Sequence, residues 1–338
     1  MRRALLALVA SLATLVSLAT RANGLTSERL GVLYDRSDPV STRVAQYYAA
    51  RRHIPAANLV GLAMPHRPVL SRGEFAPLRR AALAALPTRV ESLLLVWTEP
   101  YAVECMSITT AFAAGFHGDF CEPGCGPTER NPLFDSAGWL PADTIGWLPA
   151  MLLPSDDEAL ARRVIDDGVR SDGSHPPGTV YLVSTSDSRR NVRAAEYPDT
   201  IAEVVGRVAV VEIGAPATVP LDGAIAYFTG AVRVAGIDRI HFRPGAVADH
   251  LTSTGGVLVG GSQMSALAWL RAGATASFGE VSEPCNRLDK FPNTTVFLRH
   301  YLRGDTVLEA YWKSLAMPGQ GLIIGEPLAR PYGASSAE

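Results

Sequence analysis

Apolar runs and helical spacings alternate along most of this chain. Arg29-Leu-Gly-Val-Leu-Tyr-Asp35 has the pattern of a buried strand, and Ser37-Asp38-Pro39 opens a helix that runs to Arg52. Residues 58–64 and 91–98 read as two further strands, the second apolar on both faces, with an Ala- and Leu-rich helix at 72–86 between them. Continuous apolar strands joined by helices predict a parallel sheet covered on both sides. The rhythm breaks at 103–150, which carries three cysteines, several Gly and Pro, and Trp139 and Trp147 without a clean period. A long irregular stretch of this kind reads as an inserted segment, commonly a functional one.

Beyond it the alternation resumes. Helices are expected at 156–168, 197–206, 262–272, 294–303 and 306–315, the third with Ser262 as its N-cap. Strands are expected at 179–185, 208–213, 224–229, 245–252, 274–278 and 322–324, and residues 333–338 form a loose tail. No internal repeat or low-complexity tract appears. The expected fold is therefore a single α/β domain over 25–332, a three-layer sandwich with a mostly parallel sheet and a Cys-bearing insertion at 103–150.

The beginning of the chain is different in kind. Met1-Arg2-Arg3 precedes an apolar run over 4–19, and Thr20-Arg21-Ala22-Asn23-Gly24 follows. A positive start, a short apolar core and small residues at the cut are the parts of a secretory signal, with Ala22 or Gly24 the last residue removed. The run falls short of the ~20 residues a spanning helix needs, and no later stretch reaches that length. The mature protein is thus expected to be exported, periplasmic or extracellular. Its 31 basic and 33 acidic side chains nearly balance, and no Lys/Arg run points to nucleic acid or an anionic membrane as partner.

Export bears on the cysteines. Four of them, Cys105, Cys121, Cys125 and Cys285, predict two disulfides in an oxidising compartment. Pro123-Gly124 is a turn former between Cys121 and Cys125, so these two are expected to pair, leaving Cys105 for Cys285. The rival is a metal, because His117, Cys121 and Cys125 lie at close spacing, though in no common zinc pattern.

In open parallel sheets, ligands bind beyond the carboxyl ends of the strands. The residues expected there are Asp35 and Asp38, Glu99, then Asp187, Arg190 and Asn191, then Thr229-Gly230 and Ser253-Thr254, then Glu280, Glu283, Cys285 and Asn286, and last Glu326. So many carboxylates on one rim suit a cation or a basic ligand, although acids at helix starts also answer the helix dipole. Asp249-His250 with Ser253 has the composition of a catalytic relay. Neighbours in a strand point to opposite faces, however, so Asp249 is not placed to orient His250. Gly260-Gly261-Ser262-Gln263-Met264 lacks the final Gly of a nucleophile elbow, and Glu283 beside Cys285 disfavours a thiolate. There is no P-loop and no dinucleotide fingerprint, so no cofactor is implied.

Tyr48–Pro55, 166–173, 184–193, Ala248–Ser253 (A-D-H-L-T-S), Gly273–Asn286 (ending E-P-C-N), 290–292, 309–314 and 325–331 resemble an uncharacterised family of exported bacterial proteins. That likeness spans nearly the whole mature chain and carries no activity with it. More distantly, the C-terminal half resembles the gingipain-type branch of caspase-fold cysteine peptidases, through Gly273-Ala274 and Gly325-Glu326-Pro327. The resemblance implies a His-Gly at one strand end and a nucleophilic Cys at a later one. Here Thr229-Gly230 and Ser253-Thr254 stand at those places. Three readings follow: a caspase-like binding protein for a cationic peptide or cell-envelope component; a hydrolase using His250 with Ser253 or Cys285; and a metal-dependent enzyme on the rim carboxylates.

Overall fold

The computed structural model describes residues 24–121, 125–217 and 219–334. The expected signal segment, the Pro123-Gly124 turn and the end of the expected tail lie outside the described residues. Strand β1 (Leu30–Asp35) leads into helix α1 (Pro39–Arg52), which starts where the sequence marks it. The Asp38 carboxylate accepts from the N–H groups of Val40 and Ser41, with Pro39 at the first position. Then come β2 (Leu59–Leu62), β3 (Val69–Leu70), α2 (Arg72–Ala85), β4 (Ser92–Val96), β5 (Ala102–Val103), β6 (Met106–Ser107), α3 (Ile108–Ala114) and α4 (Ala142–Ile145). The chain continues through β7 (Ala150–Leu153), α5 (Glu158–Ser171), β8 (Thr179–Ser184), α6 (Tyr197–Val204), β9 (Ala209–Gly214), β10 (Leu221–Gly230) and β11 (Ile240–Leu251). It closes with α7 (Leu267–Ala272), β12 (Ala276–Glu280), α8 (Thr294–Tyr301), α9 (Val307–Ser314) and β13 (Gly321–Gly325).

Ten strands form one sheet in the order β2-β1-β4-β7-β13-β12-β11-β10-β8-β9, and β3, β5 and β6 form a small second sheet. The large sheet is mostly parallel, as the apolar strands predict, with β13 antiparallel to β12. The single bridge from β13 to β7, Ile324 with Leu152, has the parallel pattern. The ends of β13 nevertheless fix its direction the other way. The Gly321 carbonyl accepts from Thr109 at the start of α3, whereas Glu326, just past the strand, meets Tyr48 and Arg52 at the end of α1. The strands on either side of β13 therefore end on one common edge, where Ser282, beyond β12, donates to the Cys105 carbonyl, beyond β4.

Helices cover both faces. On one, α5 packs against α1 and α7. On the other, Phe75 of α2 meets Phe112 of α3 edge-on, Trp147 packs between Phe120 and Trp312 of α9, and α8 joins α9 to α6. Among the described residues no helix is long and apolar enough to cross a membrane.

Three expectations are corrected. The segment 103–150 is partly core: Ile108 to Ala113 are all buried, and its end opens the fully buried strand β7, which the sequence hides between Pro149 and Pro154. Helix α7 begins at Leu267 with Ala266 as its N-cap and no side-chain cap, so Ser262 is not the cap. The disulfides are Cys105–Cys121 and Cys125–Cys285, not Cys121–Cys125 and Cys105–Cys285. Two segments remote in sequence decide this. The β5–β6 turn brings Cys105 within 5.8 Å (Cα to Cα) of Cys121, and the loop after β12 brings Cys285 within 5.3 Å of Cys125. With both thiols spent, the set His117, Cys121 and Cys125 is no metal site.

Candidate functional site at the carboxyl edge

Beyond β8 the chain turns on Asp187. Its carbonyl accepts from the N–H groups of Arg190 and Asn191, and its carboxylate pairs with Arg190 Nη1 at 2.9 Å. That ion pair holds the Asp187 carboxyl below its usual range, although burial pushes the other way. Asn191 Oδ1 accepts from the Thr185 N–H, which locks the turn. Gly230, at the end of β10, is pressed so close that a Cβ there would sit 1.9 Å from the Arg190 carbonyl oxygen. Only glycine fits that contact. From this turn Arg190 Nε donates to Thr252 Oγ1, Thr252 donates to Gln263 Oε1, and the Thr254 N–H donates to the same oxygen. A chain of hydrogen bonds thus ties the loop after β8 to the loop after β11.

Beneath that rim the alternation of β11 sends Asp249 and His250 to opposite faces. Asp249 pairs with Arg193, and both are fully buried. Arg193 Nε and Nη2, Asp249 Oδ2 and the Tyr311 hydroxyl have no hydrogen-bond partner among the described residues. His250 is equally buried and engaged at both ring nitrogens. Nδ1 accepts from Trp269 Nε1 at 2.9 Å, so Nε2 carries the proton and donates to the Met264 carbonyl at 2.9 Å. Burial pushes its pKa down to about 4. Ser253 forms no hydrogen bond with that ring, and Cys285 is bonded to Cys125. The Gly256 N–H donates to the Glu280 carbonyl at 2.7 Å and is spent.

Glu280, the last residue of β12, is fully buried, and neither carboxylate oxygen has a hydrogen bond among the described residues. Burial drives its pKa well above the carboxylic range, with Lys290 opposing and Glu283 adding to the shift. Glu283 is exposed; its side chain accepts from the Cys285 N–H, and Asn286 follows Cys285 in left-handed backbone. These residues form the loop over the second disulfide.

The other expected residues sit elsewhere on the same edge. Asp35, the last residue of β1, is buried and accepts from Ser37 and more loosely from the Met64 N–H. Glu99, beyond β4, lies beside Asp156, beyond β7; burial and the Asp156 charge raise the Glu99 pKa. Among the described residues Glu99 has no cationic partner, and Asp156 accepts only from Thr98. Asp156 was not singled out from the sequence, where it looks like any acid before a helix. Arg193 and Gln263 were missed as well, whereas Glu280 was expected at the rim and is buried beneath it. The one available signal was a charged residue set in an apolar run, as at Asp249. Six strand spacings separate β4 from β8, so the Glu99 and Asp187 sectors are about 30 Å apart.

Glu326 leaves the rim altogether. Since β13 runs against β12, Glu326 lies at the amino edge, buried, where it binds Arg52 Nη2 at 2.6 Å and Tyr48 at 2.8 Å. Its role there is to tie α1 to the end of β13. Among the described residues no three His, Cys, Asp or Glu side chains converge as a metal-binding set. No protein-family model and no curated protein matches the chain.

Proposed function

We propose that the chain is an exported, caspase-like α/β protein that lacks the His/Cys peptidase dyad and binds a cationic peptide or cell-envelope component along its carboxyl edge. The observation that carries this reading is the engagement of two of the three catalytic candidates in structural bonds, His250 with Trp269 and Met264 and Cys285 with Cys125, which leaves Ser253 without a base. A general base needs a free ring nitrogen within reach of its nucleophile, and a cysteine nucleophile needs a thiolate. Two disulfides suit an oxidising compartment. On the edge, Glu99 and Asp156 are like charges with no cationic partner among the described residues, a place where an arginine or lysine of a ligand gains most. The Asp187–Arg190 turn is tied to a rigid sheet, which suits a loop that positions contacts. No observation favours the hydrolase or metal-enzyme readings.

Calorimetric titration with an arginine-rich peptide tests the proposal. Binding is expected to weaken on Glu99→Gln/Asp156→Asn, with the melting temperature unchanged. Undiminished binding by that variant would sink it. So would peptide hydrolysis abolished by His250→Ala or by an electrophilic serine or cysteine probe.

A further inference from the structure

A concavity between α2 and the end of α3 carries the opposite charge to the acids of the carboxyl edge. Arg72, Phe75, Ala76, Arg79 and Arg80 recur at the three- and four-residue spacing of one helix face and line one wall. Gly115 and Phe116, just past α3, form the other. The volume is about 470 Å³, within the range of small-molecule sites. Phe75 is buried, and Ala76 and Phe116 are half-buried, so the floor is apolar.

The three guanidiniums lack the carboxylate partner that about half of the described arginines have. Arg43, Arg51, Arg162, Arg163 and Arg299 each meet a carboxylate. Among the described residues, none of Arg72, Arg79 and Arg80 has an ion pair, and no acid lines the cavity. The nearest acids on α2 and its flank are committed: Glu74 to Arg67 and the Ser71 cap, Glu104 to the Arg72 backbone N–H. Arg79 is also held in place. Its Nε and Nη2 donate to the Phe112 and Ala113 carbonyls near the end of α3, at 2.9 and 3.2 Å. A half-buried guanidinium fixed without a counter-ion, between two more and over an aromatic floor, is complementary to a negative head on an apolar body.

We infer that this cavity binds a small organic anion, a carboxylate or phosphate carrying an apolar group, with Arg72, Arg79 and Arg80 around the charge and Phe75 and Phe116 against the body. It shares no residue with the carboxyl edge, so the two proposals stand or fall separately.

The probe is 8-anilinonaphthalene-1-sulfonate, titrated by fluorescence into the folded, oxidised chain. One saturable site is expected, and Arg72→Gln/Arg80→Gln should weaken it about tenfold without moving the melting temperature, because neither side chain has another partner among the described residues. Ala76→Phe, which fills the floor and leaves the charges, should weaken it as well. Competition by benzoate against phenyl phosphate then assigns the head as carboxylate or phosphate. Equal affinity in the double variant, equal binding of the neutral N-phenyl-1-naphthylamine, or no saturable site would each overturn the inference.

Discussion

His250 folds neutral, with its pKa pushed down to about 4 by burial, while a histidine in the unfolded chain titrates near 6.5. Between those values the unfolded state takes up a proton that the folded state refuses. Stability therefore falls as pH drops through that window, by about 3 kcal/mol in total. A His250→Gln variant has no such group, so its urea midpoint should change less than the wild type's between pH 6.5 and 4. Parallel pH profiles would show that the ring is not held neutral. Glu280 works in the opposite direction. Its folded pKa is raised well above the ordinary value by burial, so the unfolded chain loses this proton first as pH rises, and stability is lost toward alkaline pH. Glu280→Gln keeps the shape and removes the titration. Its melting temperature should exceed that of the wild type at pH 8 and match it at pH 4; a variant less stable at pH 8 would mean that the carboxylate is ionised and paired.

The elements whose ends carry a chemical mark were legible in the sequence. Helix α1 begins at Pro39 because Asp38 satisfies two free N–H groups, and α9 begins after Thr306 because Thr306 and Glu309 cap each other. The start of α7 was misplaced because Gln263, beside the expected cap, is drawn off to Thr252 and Thr254, a contact made across space. Strand β7 was missed because four apolar residues give no period, and burial on both faces leaves no polar alternation to read. The cysteine pairing failed for a related reason. Cys121 and Cys125 are only four positions apart in sequence, but their partners are set by the β5–β6 turn and by the loop after β12. The corrected pairing has a consequence for stability. Cys125–Cys285 spans 160 residues and Cys105–Cys121 spans 16. Loop-closure entropy gives about 5 kcal/mol for the first and about 3 kcal/mol for the second. In urea, Cys125→Ser/Cys285→Ser should lose more stability than Cys105→Ser/Cys121→Ser. Mass mapping of the non-reduced protein that returned a Cys121–Cys125 peptide would refute the pairing itself.

At the scale of the molecule, the rim that the sequence presents as one row of carboxylates is divided by the width of the sheet. The strands beside Glu99 and Asp187 end on the same edge, but β7, β13, β12, β11 and β10 lie between them. Sequence order does not reveal strand order, so this division could not be read beforehand. It sets a length on any ligand that uses both sectors. An extended chain advances at most ~3.6 Å per residue, so spanning about 30 Å takes roughly nine residues. A tri-arginine peptide seated at Glu99 and Asp156 cannot reach the Asp187–Arg190 turn. Its affinity should fall in Glu99→Gln/Asp156→Asn and stay unchanged in Asp187→Ala. An arginine-rich peptide of about twelve residues should be weakened by both variants, and more in the combined variant than in either alone. The Asp187→Ala chain should keep its melting temperature, because that ion pair is partly exposed and such pairs contribute ~1 kcal/mol or less. Equal sensitivity of the short and long peptides to Asp187→Ala would place the ligand wholly beside β8 and β10, and the Glu99 sector would then have no part in binding.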